Sequence, residues 1–174
     1  MQLKYQDKGS GGRYDMALYQ PMPEPGYYIL GGYAQNNYDA PNGCAMTIKP
    51  MDSAAAAQLA PPVAWERVWR DKGTGATMDG SIWRAVPRSP DFVCLGHIGQ
   101  TGKKEQPYVE NYACVKRCLV QAVMPTNPLW TTELTGAAFP IEVYILPHIN
   151  SFLAIPQGQR PAEFTDLNPE ARCP

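Results

Sequence analysis

Two aspartates that bracket a glycine-rich turn occur twice in this chain: Asp7 and Asp15 around Lys8-Gly9-Ser10-Gly11, and Asp71 and Asp79 around Lys72-Gly73-Thr74-Gly75. Glycine lets a backbone approach a ligand closely because no side chain intervenes. A carboxylate beside such a turn can accept from sugar hydroxyls while backbone amides donate to them, which would make a glycan or lipid-headgroup site. Carboxylates together with carbonyls could instead hold calcium. The plainer alternative is that each aspartate caps its own turn by accepting backbone amides. All three readings attach to Asp7, Gly9, Gly11, Asp15, Asp71, Gly73, Gly75 and Asp79, with Lys8, Arg13, Tyr14, Lys72 and Thr77 as peripheral contacts.

Catalysis finds little support. His97 falls within an apolar strand-like run and His148 follows Pro147, and neither has a serine or cysteine motif beside it that fits a nucleophile and base. The aspartate pairs recur by repetition, unlike the two carboxylates that a glycosidase assembles across a cleft. The expectation is a non-enzyme with no catalytic residue, no cofactor and no metal. A formal charge of −1 gives no bulk attraction to nucleic acid. Lys103, Lys104, Lys116 and Arg117 could meet an anionic membrane, and Tyr33, Tyr38 and Tyr108 are amphipathic side chains suited to a glycan or bilayer interface. No apolar run has signal-peptide or membrane-spanning length, so the expectation is a soluble protein, cytoplasmic or released without a classical signal.

Five cysteines, Cys44, Cys94, Cys114, Cys118 and Cys173, contain no C-x-x-C pair, which suggests buried free thiols over a disulfide framework or a zinc site. Cys114 and Cys118 along one strand would stand roughly 13 Å apart, too far to bridge.

The elements that position these loops are short strands. Eighteen prolines and fifteen glycines in 174 residues imply frequent turns, while 44% hydrophobic residues argue for a packed core. The second copy reads as strands at Trp65 to Trp69, Met78 to Val86, Phe92 to Ile98 and Tyr112 to Val123. The first has the same roles at Leu3 to Tyr5, Met16 to Met22, Tyr27 to Tyr33 and Cys44 to Ile48, at a single ungapped offset of 64. Met51 to Pro62 is a linker, in which Asp52 or Ser53 caps a helical turn of Ala54 to Gln58. A worn third copy appears at an offset of 61, placing Trp69 on Trp130, Ile82 on Val143 and Trp83 on Tyr144, but Asp71 on Thr132 and Asp79 on Pro140. The aspartates thus look dispensable to the fold.

Three such repeats predict one all-β domain over residues 1–155 (repeats about 1–50, 63–123 and a degenerate 124–155), with 156–174 as a C-terminal tail. The expected architecture is a β-prism of three antiparallel sheets about a pseudo-threefold axis, with a β-trefoil as the alternative. Tyr19, Trp83 and Tyr144 are its expected interior wedges.

The run from Val68 to Arg84, followed by Pro90, Phe92 and Leu95-Gly96, resembles the Vps62 family, known by its W-x-D-x-G-S-G-x-x-x-D-x-x-x-W-x-P and P-G-Y-x-x-L-G motifs. It is also similar to the β-prism modules named for the MVB12-associated domain. The first copy keeps Pro25-Gly26-Tyr27, while Pro90-Asp91-Phe92 replaces the glycine and tyrosine in the second. The resemblance implies a non-enzymatic β-prism of a group that occurs beside perforin-type pore formers and in trafficking proteins. Its expected partners are a glycan or lipid-headgroup surface and a protein such as a pore-forming component, and an oligomer is allowed. The other reading is a structural or assembly protein that self-associates or recruits a partner chain through edge strands.

Overall fold

The computed structural model describes residues 1–173. The first repeat runs through β1 (Gln2–Gln6), β2 (Ala17–Gln20), β3 (Tyr28–Ile29), β4 (Tyr33–Gln35) and β5 (Thr47–Ile48). A helical turn, α1 (Ser53–Ala56), follows; Asp52 caps it by accepting from the Ala55 amide at 2.8 Å. The second repeat comprises β6 (Leu59–Ala60), β7 (Ala64–Arg70), β8 (Gly80–Val86), β9 (Phe92–Val93), β10 (Ile98–Thr101), β11 (Cys114–Lys116) and β12 (Val120–Val123). The third has β13 (Trp130–Thr131), β14 (Ile141–Leu146) and β15 (Ser151–Pro156), and β16 (Phe164–Leu167) completes the chain.

The fold is all-β, and each repeat gives one three-stranded antiparallel sheet: β1-β2-β4, β7-β8-β10 and β13-β14-β15. Among the described residues the strands sort into separate small sheets and no barrel closes, which removes the trefoil alternative. Equivalent pairs register in all three: Tyr5 opposite Leu18, Trp69 opposite Ile82 and Trp130 opposite Val143. The worn third copy is therefore a true structural repeat. The offset is not constant, however. Tyr19 pairs with Tyr33 and Trp83 with Ile98, so the loop between the second and third strands is one residue longer in the second repeat.

Those six paired residues line the central core, where Tyr5 meets Trp69 edge-to-face at 5.5 Å and Trp69 meets Trp130 at 6.2 Å. Bulges at Lys4 and Val68 turn Tyr5 and Trp69 inward. The expected wedges Tyr19, Trp83 and Tyr144 are buried one position further on. Because side chains alternate across a strand, they face outward into three satellite clusters.

Three expected strands are split. Tyr27 to Tyr33 divides into β3 and β4, which belong to different sheets. Phe92 to Ile98 divides into β9 and β10, which belong to different sheets, because Gly96 between them sits where the repeats converge. A Cβ on Gly96 would lie 2.7 Å from Ser151 Cβ and 2.9 Å from Gly31 Cα, so the glycine that ends the P-G-Y-x-x-L-G motif is required by close approach, with Ser151 as its third-repeat counterpart. Tyr112 to Val123 divides into β11 and β12 at a 3-10 turn, Arg117–Leu119.

The cysteine expectation is corrected. β11 runs antiparallel to β9 with Val115 opposite Val93, which sets Cys114 beside Cys94, and the two form a disulfide. Cys118 bonds to Cys173, and Cys44 is the free, exposed cysteine. Both partners are remote in sequence, which spacing along a single strand could not reveal. The stretch expected as a tail is likewise tied in: β16 pairs with β12, Phe164 is buried and Cys173 is cross-linked, while Pro174 lies outside the described residues.

Candidate functional site

The aspartate-glycine loops and their third-repeat counterpart connect β1 to β2, β7 to β8 and β13 to β14, and they share one backbone plan. Asp7, Asp71 and Thr132 donate their amides to Met16, Gly80 and Ile141 carbonyls at 3.1, 2.8 and 3.1 Å. Ser10, Thr74 and Thr135 each accept from the amide two residues on, at 3.2, 3.1 and 3.2 Å. Gly9 and Gly11, and Gly73 and Gly75, all have positive φ, from 70° to 91°. That left-handed turn explains the two motif glycines. In the third loop Gly136 keeps the second position, whereas Leu134 occupies the first with φ 66°.

The three loops interlock in a ring. Thr77 donates its amide to the Lys8 carbonyl at 2.9 Å, Ala138 to Lys72 at 2.8 Å and Arg13 to Glu133 at 3.3 Å. Each repeat thus bonds to the next, and the third returns to the first.

The first aspartate of each pair points into this closure. Asp7 is fully buried: its Oδ1 accepts from the Met16 amide at 2.7 Å and the Tyr38 hydroxyl at 2.8 Å, and its Oδ2 from the Trp130 indole at 2.8 Å and Ser10 Oγ at 3.2 Å. Donors surround the carboxylate, a setting suited to capping and hostile to a cation. Asp71 is also buried and accepts from Thr74 Oγ1. Beside it the Tyr5 hydroxyl is buried without a partner of good geometry; burial first, then the Asp71 and Asp7 charges, push its pKa up. The Tyr38 hydroxyl is shifted the same way by burial and by Asp7, with Asp15 next to it.

These carboxylates are not dispensable to the fold. Thr132 takes over one part of the role, its hydroxyl accepting the Ile141 amide at 3.0 Å. With threonine in place of a carboxylate at position 132, the Trp69 indole donates instead to the Phe139 carbonyl at 3.0 Å.

Asp15 and Asp79 are exposed, as are Gly9, Gly11, Gly73 and Gly75. Asp79 pairs with Lys103 at 2.6 Å, which holds the ammonium pKa up. Lys8 and Lys72 are exposed without ion-pair partners among the described residues, while Arg13 pairs with Glu133 at 3.5 Å and lies over the Tyr14 ring. Leu134 is 74% exposed, and Tyr14 and Phe139 are partly so. Each of these three apolar side chains is next in sequence to a member of the backbone ring. Of the other expected tyrosines, Tyr33 is buried against Asn42 and Tyr108 is exposed. Leu134 escaped the sequence reading, although its alignment with Gly9 and Gly73 was a visible signal.

The family model for vacuolar protein sorting-associated protein 62 matches residues 3–151. The crystal structure of GNIP1Aa from Chromobacterium piscinae is similar, with a TM-score of 0.77 and 27% identity over 90% of this chain. The match covers 31% of GNIP1Aa, so this chain spans about a third of that protein's length. No curated protein sequence matches.

Proposed function

The chain belongs to the Vps62 family, and from that membership and the exposed loop tips we propose that it is a non-enzymatic recognition module that docks on an anionic membrane surface. The observation that carries this reading is Leu134: a large apolar side chain, exposed, in a backbone conformation where both sister loops use glycine. Leucine in that conformation costs about 1–2 kcal/mol, and nothing in the core compensates for it. Tyr14 and Phe139 beside the same ring add ring surface suited to the headgroup region. Lys8 and Lys72 add charges worth about 1 kcal/mol each near an anionic bilayer.

The inward turn of Asp7 and Asp71 favours this reading over a glycan held by the motif carboxylates. The two disulfides suit an oxidising compartment. No helix among the described residues is long and apolar enough to cross a membrane. In GNIP1Aa a similar fold is part of a longer protein, which fits a targeting role beside a partner such as a pore-forming component. Co-sedimentation with phosphatidylserine-containing vesicles tests the reading: binding should fall with added salt and with Leu134→Gly. Equal binding to purely zwitterionic vesicles, or none to either, would overturn it.

A further inference from the structure

A cleft lies between the β7-β8 face and β15 with the segment that follows it. Its main chamber, about 440 Å³, is lined by Glu66, Arg84, His97, Ile155, Gln159 and Pro161 among others. It continues into a second hollow of about 270 Å³ that shares Arg84, His97, Ile155 and Pro161. Together they fall in the size range of small-ligand sites, and neither is lined by the loop tips assigned above to membrane docking.

His97 forms the floor and is nine-tenths buried, with 9% exposure. Its Nδ1 accepts from the Ala154 amide at 3.0 Å. An amide can only donate, so Nδ1 carries the lone pair and Nε2 carries the proton. Burial, with the Arg84 charge as the second cause, lowers the ring pKa to about 3, so the imidazole stays neutral near pH 7. Nε2–H has no acceptor among the described residues, and His97 lines both hollows, so this donor is available to a ligand in the cleft.

At the rim Arg84 Nε donates to Glu66 Oε2 at 2.7 Å. The pair is charge-balanced, and Arg84 Nη1 and Glu66 Oε1 have no protein partner among the described residues. Gln159 adds an amide that can both donate and accept, and Ile155, Pro156 and Pro161 form an apolar wall. An anion would meet the Glu66 carboxylate, and a cation would meet Arg84. A neutral ring bearing hydroxyls matches all of these groups, since each hydroxyl donates and accepts and the C–H face can rest on the wall.

The set is not inherited from the repeat. The first repeat carries Gly32 at the His97 position and Gln20 at the Arg84 position; the third carries Phe152 and Ile145. The backbone of His97 serves the fold, accepting from Gly32 and donating to Phe152 at 2.8 Å each, but the imidazole is not needed for that.

We propose that this cleft is a saccharide site that takes one neutral pyranose unit, with His97 Nε2–H, Arg84 and Glu66 as its hydrogen-bonding groups. The test is NMR titration of the whole chain near pH 7, following the His97 ring nitrogens. The probes are the methyl glycosides of glucose, galactose and mannose and N-acetylglucosamine, with acetate and glucuronate as anionic controls. At least one neutral sugar should perturb His97, and Arg84→Gln, an exposed change to the residue of the first repeat, should weaken binding about tenfold or more. His97→Phe should abolish it. Oligosaccharides with the preferred sugar at a terminus separate a surface glycan from a free sugar. No response to any neutral sugar at tens of millimolar, tighter binding of acetate, or full affinity in Arg84→Gln would overturn the proposal. Vesicle binding is read separately, so the failure of one leaves the other standing.

Discussion

Trp130 donates its indole N–H to Oδ2 of Asp7 at 2.8 Å, which fastens the third repeat to the first across 123 residues of sequence. Removing the carboxylate would strand that indole, the Met16 amide and the Tyr38 hydroxyl together. Asp7→Ala should therefore cost about 3 kcal/mol or more in denaturant unfolding. Asp15→Ala, at an exposed position, should stay within about 0.5 kcal/mol. Tyr5→Phe removes a buried hydroxyl that has no partner and should be neutral or slightly stabilising.

Leu134→Gly should do two things at once. Relief of the left-handed backbone should raise stability by about 1 kcal/mol, while vesicle binding drops. A variant more stable than the parent yet weaker in binding would separate function from folding. A loss of stability would show that Leu134 packs in a way its exposure does not suggest.

Gly96→Ala pushes a methyl group into Ser151 and Gly31, and should cost about 2–3 kcal/mol. Ser151→Gly in the same chain should recover part of that loss, because the two sites share one crowded contact and their effects couple. Thermal melts of the two single variants and the double variant give the coupling directly.

His97 makes stability depend on pH with a defined sign. The unfolded imidazole takes up a proton near 6.5 and the folded one only near 3. In that window the unfolded state binds more protons, so this contribution is complete above pH 6.5 and is lost as the pH falls toward 3. Between pH 7 and pH 5 the loss should be about 2 kcal/mol, and His97→Phe should remove it. Equal slopes for the two proteins would contradict the buried neutral ring.

Thiol titration should find one reactive cysteine, Cys44, in the native protein and five after reduction in denaturant. Chain-entropy arguments give about 3 kcal/mol for Cys94–Cys114 and about 4 kcal/mol for Cys118–Cys173, so reduction should lower the melting temperature markedly. Unchanged melting under reductant would argue against both bonds.

Much of the repeat plan was legible, because Tyr5, Trp69 and Trp130 recur at nearly constant spacing with their strand partners. Local patterns also located the α1 cap, as one of two candidates, and the glycine-rich turns. What could not be read depended on partners remote in the chain. The inward turn of Asp7 is decided by Trp130, the Cys94–Cys114 bond by the β9-β11 register, and the break after Val93 by the crowding of Gly96 against Gly31 and Ser151. The His97 cleft was hidden for the same reason, since Ala154 and Glu66 approach it from two different repeats.

The ring of amides from Thr77, Ala138 and Arg13 closes on itself, which separates this protein from repeat proteins that stack in a row. A row can gain or lose a unit at its end, whereas here every unit is an interior one and the count is fixed at three. During synthesis the first two repeats must wait, with Tyr5 and Trp69 only partly covered, until Trp130 and the strands after it have left the ribosome. Assembly is thus committed late, by the repeat whose sequence has diverged furthest from the other two.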